Sequence, residues 1–314
     1  MDTIVYIDPY SKCIPLKILQ MIYIALVKLL VRVFSFPARA SWHKTVRIAL
    51  DILGTVFLQF PKRALKEKVD AAGTPARWIR WKGSDCNGVI LYLHGGGYSL
   101  GSMKTHGRMV ANIARRCKMK ALFLEYPLAP EHKHPETLDR ALAAYRWLLD
   151  SGNSPEKIAV MGDSSGGGLA LAMLQTARDR GMPMPGCGVL ISPWTDMACT
   201  GESMKTRACS DPMLRRRVIL PFARLYAPES MLTDPSVSPL YGSMRNLPRL
   251  LIMVGRDEIL LDDSRRIAGL PHDREIRVEV WKGMFHVWHL FCPYAPFFRK
   301  AFSRIGDFVT GVVE

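Results

Sequence analysis

No two of the seven cysteines are spaced as CxxC, and their number is odd. That disfavours a disulfide framework and a structural zinc site, and a reducing cytoplasm fits such a chain. No cluster of His, Cys or carboxylates has ligand spacing, so no metal is expected. Zinc-finger spacing, an RNA-binding aromatic motif and a long basic arm are also missing. Their absence argues against nucleic acid as a partner, although the formal charge is +15. The densest basic run, Arg215-Arg216-Arg217, reads as a solvated helix face. There is no internal repeat and no low-complexity tract. In the N-terminal segment the longest uncharged run, Ile18 to Val27, is too short to span a bilayer. A signal peptide is not indicated either, because Lys28 and Arg32 interrupt the apolar region.

What is present is a chain of 314 residues, 48% apolar and 23% charged. Those values are ordinary for a globular protein, and the length allows one large core. At 100° per residue, Lys17, Gln20, Lys28 and Arg32 fall in one narrow arc of residues 16–36, which makes an amphipathic helix with a broad apolar face. Such a helix could lie on a membrane surface or pack against its own protein; the second placement is the one adopted.

From residue 76 onward, strand-like and helix-like segments alternate. Strands are expected at Ala76–Trp81, Val89–Leu93, Ala121–Tyr126, Lys157–Gly162, Gly188–Ser192, Leu250–Val254 and Ile276–Trp281. Helices are expected at Glu136–Asp150, Ser165–Arg180 and Pro296–Val313. The alternation predicts an α/β protein with a mostly parallel sheet and helices on both faces. Residues 1–65 and 197–240 do not fit it. They are read as a helical cap, in two parts, over a catalytic domain of residues 66–314.

The chemistry starts at Gly162-Asp163-Ser164-Ser165-Gly166, a G-x-S-x-G sequence between an expected strand and an expected helix. That context is the nucleophile elbow, in which a tight strand-to-helix turn presents Ser164 and a Cβ at either glycine would clash. The helix N-terminus also favours a developing anion. His94-Gly95-Gly96-Gly97-Tyr98 follows an earlier strand. Backbone N–H groups of Gly95, Gly96 and Ser165 are expected to form the oxyanion hole. The acid and base should follow the serine in that order. Asp257, at the end of a strand, is expected to be the acid, with Glu258, Asp262 and Asp263 as competitors. His286, on the next loop, is expected to be the base, with His289 as rival.

These motifs, together with Tyr126-Pro127-Leu128-Ala129-Pro130-Glu131-His132, Ser192-Pro193-Trp194-Thr195-Asp196, the stretch from Gly255 to Ser264 and Gly283-Met284-Phe285-His286, resemble the hormone-sensitive-lipase family of bacterial esterases from about residue 65 onward. The resemblance implies an α/β-hydrolase fold, an N-terminal cap, no cofactor, frequent homodimers and small-molecule substrates, namely short- to medium-chain acyl esters. It extends to monoterpene lactone hydrolases within that family. Two departures stand out. Ser165 occupies a place usually held by Ala, and Glu125-Tyr126-Pro127 replaces Asp-Tyr-Arg. The alternatives carried forward are a lactone hydrolase and a non-catalytic receptor on the same scaffold.

Overall fold

Short apolar runs become strands here because helices cover both of their faces. A computed structural model of the chain describes residues 3–10, 21, 22, 25, 43–83, 88–291 and 296–313. Its elements, in chain order, are β1 (Thr3–Ile7), α1 (His43–Phe57), β2 (Ala64–Asp70), β3 (Pro75–Trp81), β4 (Val89–Leu93), α2 (Met103–Cys117), β5 (Lys120–Leu124) and α3 (Glu136–Asp150). They continue with β6 (Ile158–Asp163), α4 (Ser165–Asp179), β7 (Cys187–Ile191), α5 (Ser203–Thr206), α6 (Arg216–Tyr226), β8 (Arg249–Gly255), α7 (Leu261–Ala268), β9 (Ile276–Trp281) and α8 (Pro296–Val313).

The nine strands form one sheet in the order β1-β9-β8-β7-β6-β4-β5-β3-β2. Neighbours are parallel from β1 through β5; only the β5–β3 and β3–β2 pairs are antiparallel. Strand β4 shows how the sheet is buried on both sides. Val89, Leu91 and Leu93 enter one core with Leu169, Leu171 and Leu174 of α4, while Ile90 and Tyr92 enter the other with Val110 and Ile113 of α2. This two-sided burial is why the strand reads as a continuous apolar run.

Strand order reverses between β4 and β6, which lie side by side. A crevice opens there, at the carboxyl ends of the strands, where α/β sheets bind ligands. The glycine run after β4 and the elbow after β6 both end at this crevice.

The described part of residues 1–65 departs from an all-helical cap. Thr3–Ile7 adds an edge strand to β9, and β2 begins at Ala64. Helix α1 lies against α2 and is tied to the glycine-run loop. Arg47 Nε donates to Ser99 O at 2.6 Å, and Asp51 accepts from Ser102 Oγ at 2.6 Å. Apart from residues 21, 22 and 25, the helix expected over 16–36 lies outside the described residues. Among the described residues no helix is long and apolar enough to cross a membrane.

Candidate active site

Ser164 sits at φ 53°, ψ −125°, between the end of β6 and the start of α4. A non-glycine residue there is strained, and the surroundings must hold it. They do so tightly. A Cβ on Gly162 would lie 2.2 Å from Gly166 O, and one on Gly166 would lie 2.1 Å from Leu93 O. The elbow thus packs directly onto the end of β4, and only glycine allows that approach. Ser164 N donates to Ile191 O at 2.9 Å, and Ser164 O accepts from Trp194 N at 2.9 Å, which locks the turn to the end of β7 and the loop after it.

Ser164 Oγ lies 2.9 Å from His286 Nε2, and His286 Nδ1 lies 2.8 Å from Glu258 Oε2. His286 and Glu258 are buried, whereas Ser164 is partly open. The expectation for the acid is therefore corrected: Glu258, not Asp257, stands against the histidine. The reason lies in how β8 ends. Arg256 N and Asp257 N continue the backbone bonding, to Trp281 O at 2.9 Å and Met284 O at 3.0 Å. The strand ends at Gly255, and the turn that follows sends the side chains of Asp257 and Glu258 different ways. Asp257 turns toward Tyr10; burial, then the charges of Asp257 and Asp8, push that tyrosine's hydroxyl up. Glu258 turns inward, and its other oxygen, Oε1, accepts the Gly255 N–H at 2.7 Å. Burial raises the Glu258 carboxyl, and the hydrogen bond and charge of His286 oppose that rise.

The competitors have structural places. Asp262 and Asp263 lie in the first turn of α7. Asp263 Oδ2 accepts the N–H groups of Thr195 and Asp196, and burial pushes its carboxyl up to about 8. His289 is buried against Trp288, far from water, and burial pulls it down to about 3.

The glycine run needs a second correction. Gly95 N donates to Asp163 Oδ1 at 3.1 Å, so this N–H is already engaged. Asp163 is fully buried, takes Tyr92 Oη at 2.8 Å on the same oxygen, and pairs with His106 Nε2 at 3.3 Å. Gly96 N and Gly97 N have no acceptor among the described residues. Ser165 opens α4, and the first N–H groups of a helix have no acceptor within it. Gly95 thus has its N–H committed to holding the loop, while those of Gly96 and Gly97 beside it are not taken up by the described residues. Asp163 carries this anchor, and the motif reading passed over it as the variable residue of G-x-S-x-G.

The insertion 197–240 reaches the same crevice. A Cβ on Gly97 would lie 3.2 Å from Phe222 of α6, and Tyr98 stacks on Tyr226 of α6 at 3.7 Å.

The model of the alpha/beta hydrolase fold family matches residues 90–290. An acetyl-hydrolase of Streptomyces hygroscopicus is 39% identical over 236 residues, covering 74% of this chain and 79% of that protein. An esterase of Acinetobacter venetianus is 32% identical over 270 residues, covering 85% and 88%. The crystal structure of an esterase from the bacterial hormone-sensitive lipase family superposes with a TM-score of 0.86 at 38% identity, over 93% of this chain and 98% of that one. The chain belongs to the α/β-hydrolase fold family and, within it, to the bacterial hormone-sensitive-lipase esterases.

Proposed function

We propose that this protein is a serine hydrolase that cleaves small carboxylic esters through an acyl-enzyme on Ser164. The observation that carries the reading is the unbroken hydrogen-bonded chain Ser164–His286–Glu258 at the strand-order reversal. Glu258, ionised, can only accept, so Nδ1 of His286 carries the ring proton and Nε2 is left to accept from Ser164. Ser164 Oγ attacks the ester carbonyl as its proton passes to Nε2. The carbonyl oxygen becomes anionic and takes hydrogen bonds from the N–H groups of Gly96 and Ser165. The imidazolium, held by Glu258, gives its proton to the leaving alcohol. Water then repeats the sequence on the acyl-enzyme and regenerates Ser164.

The names of the relatives, acetyl-hydrolase, esterase and ethyl acetate hydrolase, support a short acyl group. The cap role of residues 197–240 is supported by Phe222 and Tyr226 lying against the glycine-run loop. A receptor would have no use for a base bonded to both a serine and a carboxylate, so the non-catalytic alternative loses its ground. Ser164→Ala should lower kcat by roughly 10⁴-fold or more, and a fluorophosphonate should label Ser164. A label on Ser165 or Ser192, or full activity in the alanine variant, would refute the proposal.

A further inference from the structure

Two consecutive residues of the insertion hold the backbone on either side of Glu258. Ser210 Oγ donates to the carbonyl oxygen of Asp257 at 3.2 Å, immediately before it. Asp211 Oδ2 accepts the N–H of Ile259 at 3.0 Å, immediately after it. The other oxygen, Asp211 Oδ1, accepts the N–H groups of Met213 and Leu214 at 2.8 and 2.9 Å, closing the turn that leads into α6. Asp211 has no exposed surface, and among the described residues no cationic side chain pairs with its carboxylate. A buried carboxylate is costly without a charge partner. Burial pushes the Asp211 carboxyl up, and the charge of His286 and the three N–H donors offset only part of that rise.

We propose that Asp211, assisted by Ser210, is the positioning residue of the acid: the insertion fixes where Glu258 points. A loop that merely followed β8 would leave the Glu258 backbone held only from the strand side. With 210 and 211 in place, both of its flanking peptides are held. The same insertion continues into α6, which bears on Gly97 and Tyr98. One segment therefore sets the acid loop and the oxyanion loop together. The proposal rests on the Ser164–His286–Glu258 assignment.

The test is a double-mutant cycle of Asp211→Asn with Glu258→Gln, assayed on an activated short-chain ester, with folding checked by circular dichroism. A residue acting through Glu258 has little left to do once Glu258 is disabled. In the wild-type background Asp211→Asn should lower kcat by roughly 10–100-fold, by analogy with the loss when groups that orient a metal-bound histidine are removed. KM should stay within about twofold. In the Glu258→Gln background the same change should cost less than about threefold. Equal losses in both backgrounds, or a loss confined to KM, would overturn the proposal. Should Asp211→Asn fail to fold, Ser210→Ala decides, since Ser210 is half-exposed and its loss strands no charge. It should lower kcat in the wild-type background only, and an additive loss would overturn the proposal. Failure of the underlying assignment would show separately, as an active Ser164→Ala enzyme or as a Glu258→Gln enzyme that keeps its turnover.

Discussion

Oε2 of Glu258 stands 2.8 Å from Nδ1 of His286, while Oε1 of the same carboxylate holds the N–H of Gly255 at 2.7 Å. One carboxylate therefore spans from the end of β8 to the histidine loop. The strand end fixes the acid, and the acid fixes the ring. Glutamate has the reach for both bonds, because its carboxylate can fold back over its own turn to the residue three positions earlier.

Exchanging the two neighbouring acids is the direct check. Glu258→Gln should lower kcat/KM by roughly 10⁴-fold, because an amide there favours the wrong ring tautomer. Asp257→Asn should change it by less than about tenfold, since that side chain faces Tyr10 and not the histidine. Steady-state kinetics on an activated ester, with both variants shown to be folded, would read the difference. The reverse order would return the role to Asp257.

His289 offers a second check, through stability. It is buried beside Trp288 and Phe302, and neither ring nitrogen has a partner among the described residues. Burial lowers its pKa to about 3, against roughly 6.5 in an unfolded chain. Below about pH 6.5 the unfolded chain takes up a proton that the native state refuses, so stability falls as pH drops from there toward 3. His289→Phe should remove that loss while leaving kcat unchanged. The difference between urea midpoints at pH 8 and pH 5 should be smaller in the variant than in the wild type. Parallel losses, or a collapse in kcat, would contradict this.

Much of this was legible in the chain itself, and the gaps have physical causes. Val89–Leu93, Ile276–Trp281 and the two helices Glu136–Asp150 and Pro296–Val313 appear with the bounds read from pattern. Each is an apolar or strongly periodic segment closed by turn signals. Strand β2 was missed because ALKEKVD carries charges at four of seven places, as an edge strand may. Helix α2 was missed because its capping box uses Ser102 and Thr105, not the usual acid three residues on. The choice between Asp257 and Glu258 turned on which way a strand exit faces, and adjacency in sequence cannot reveal that. Asp211 lies 48 residues from the peptide it holds, and no local pattern announces such a bond.

Asp163 predicts a second loss of stability on acidification, in a lower pH window. Burial works against its ionisation, but His106, the Tyr92 hydroxyl and His94 outweigh burial and leave its carboxyl below the ordinary range. A carboxylate depressed in the folded state contributes stability above its unfolded value of about 3.9 and loses it as pH falls through the folded value. Asp163→Asn should therefore be less stable than the wild type at pH 6, with the gap closing toward pH 3. Urea midpoints across that range would show it, and a gap that widens on acidification would refute the account.

Gly95 gives the sharpest test of how the oxyanion loop is held. Its N–H is engaged with Asp163, so it should matter as an anchor and not as a donor. A Cβ there would lie 2.3 Å from Asp163 Oδ2, 2.8 Å from Asp163 O and 3.0 Å from Ser164 Cβ. Two of these three neighbours cannot yield without moving the elbow itself, and the third is the buried carboxylate that anchors the loop. Gly95→Ala should therefore displace Gly96 and cost roughly 10²–10³-fold in kcat, the loss expected when one oxyanion donor is misplaced. Gly83→Ala is the control. Its φ is positive, at 70°, but its Cβ would meet nothing within 4 Å, so it isolates backbone strain from steric clash. Its strain should appear in the melting temperature and leave kcat within about twofold. If Gly95→Ala behaved like Gly83→Ala, losing stability but keeping its turnover, the anchor would not be setting the oxyanion hole.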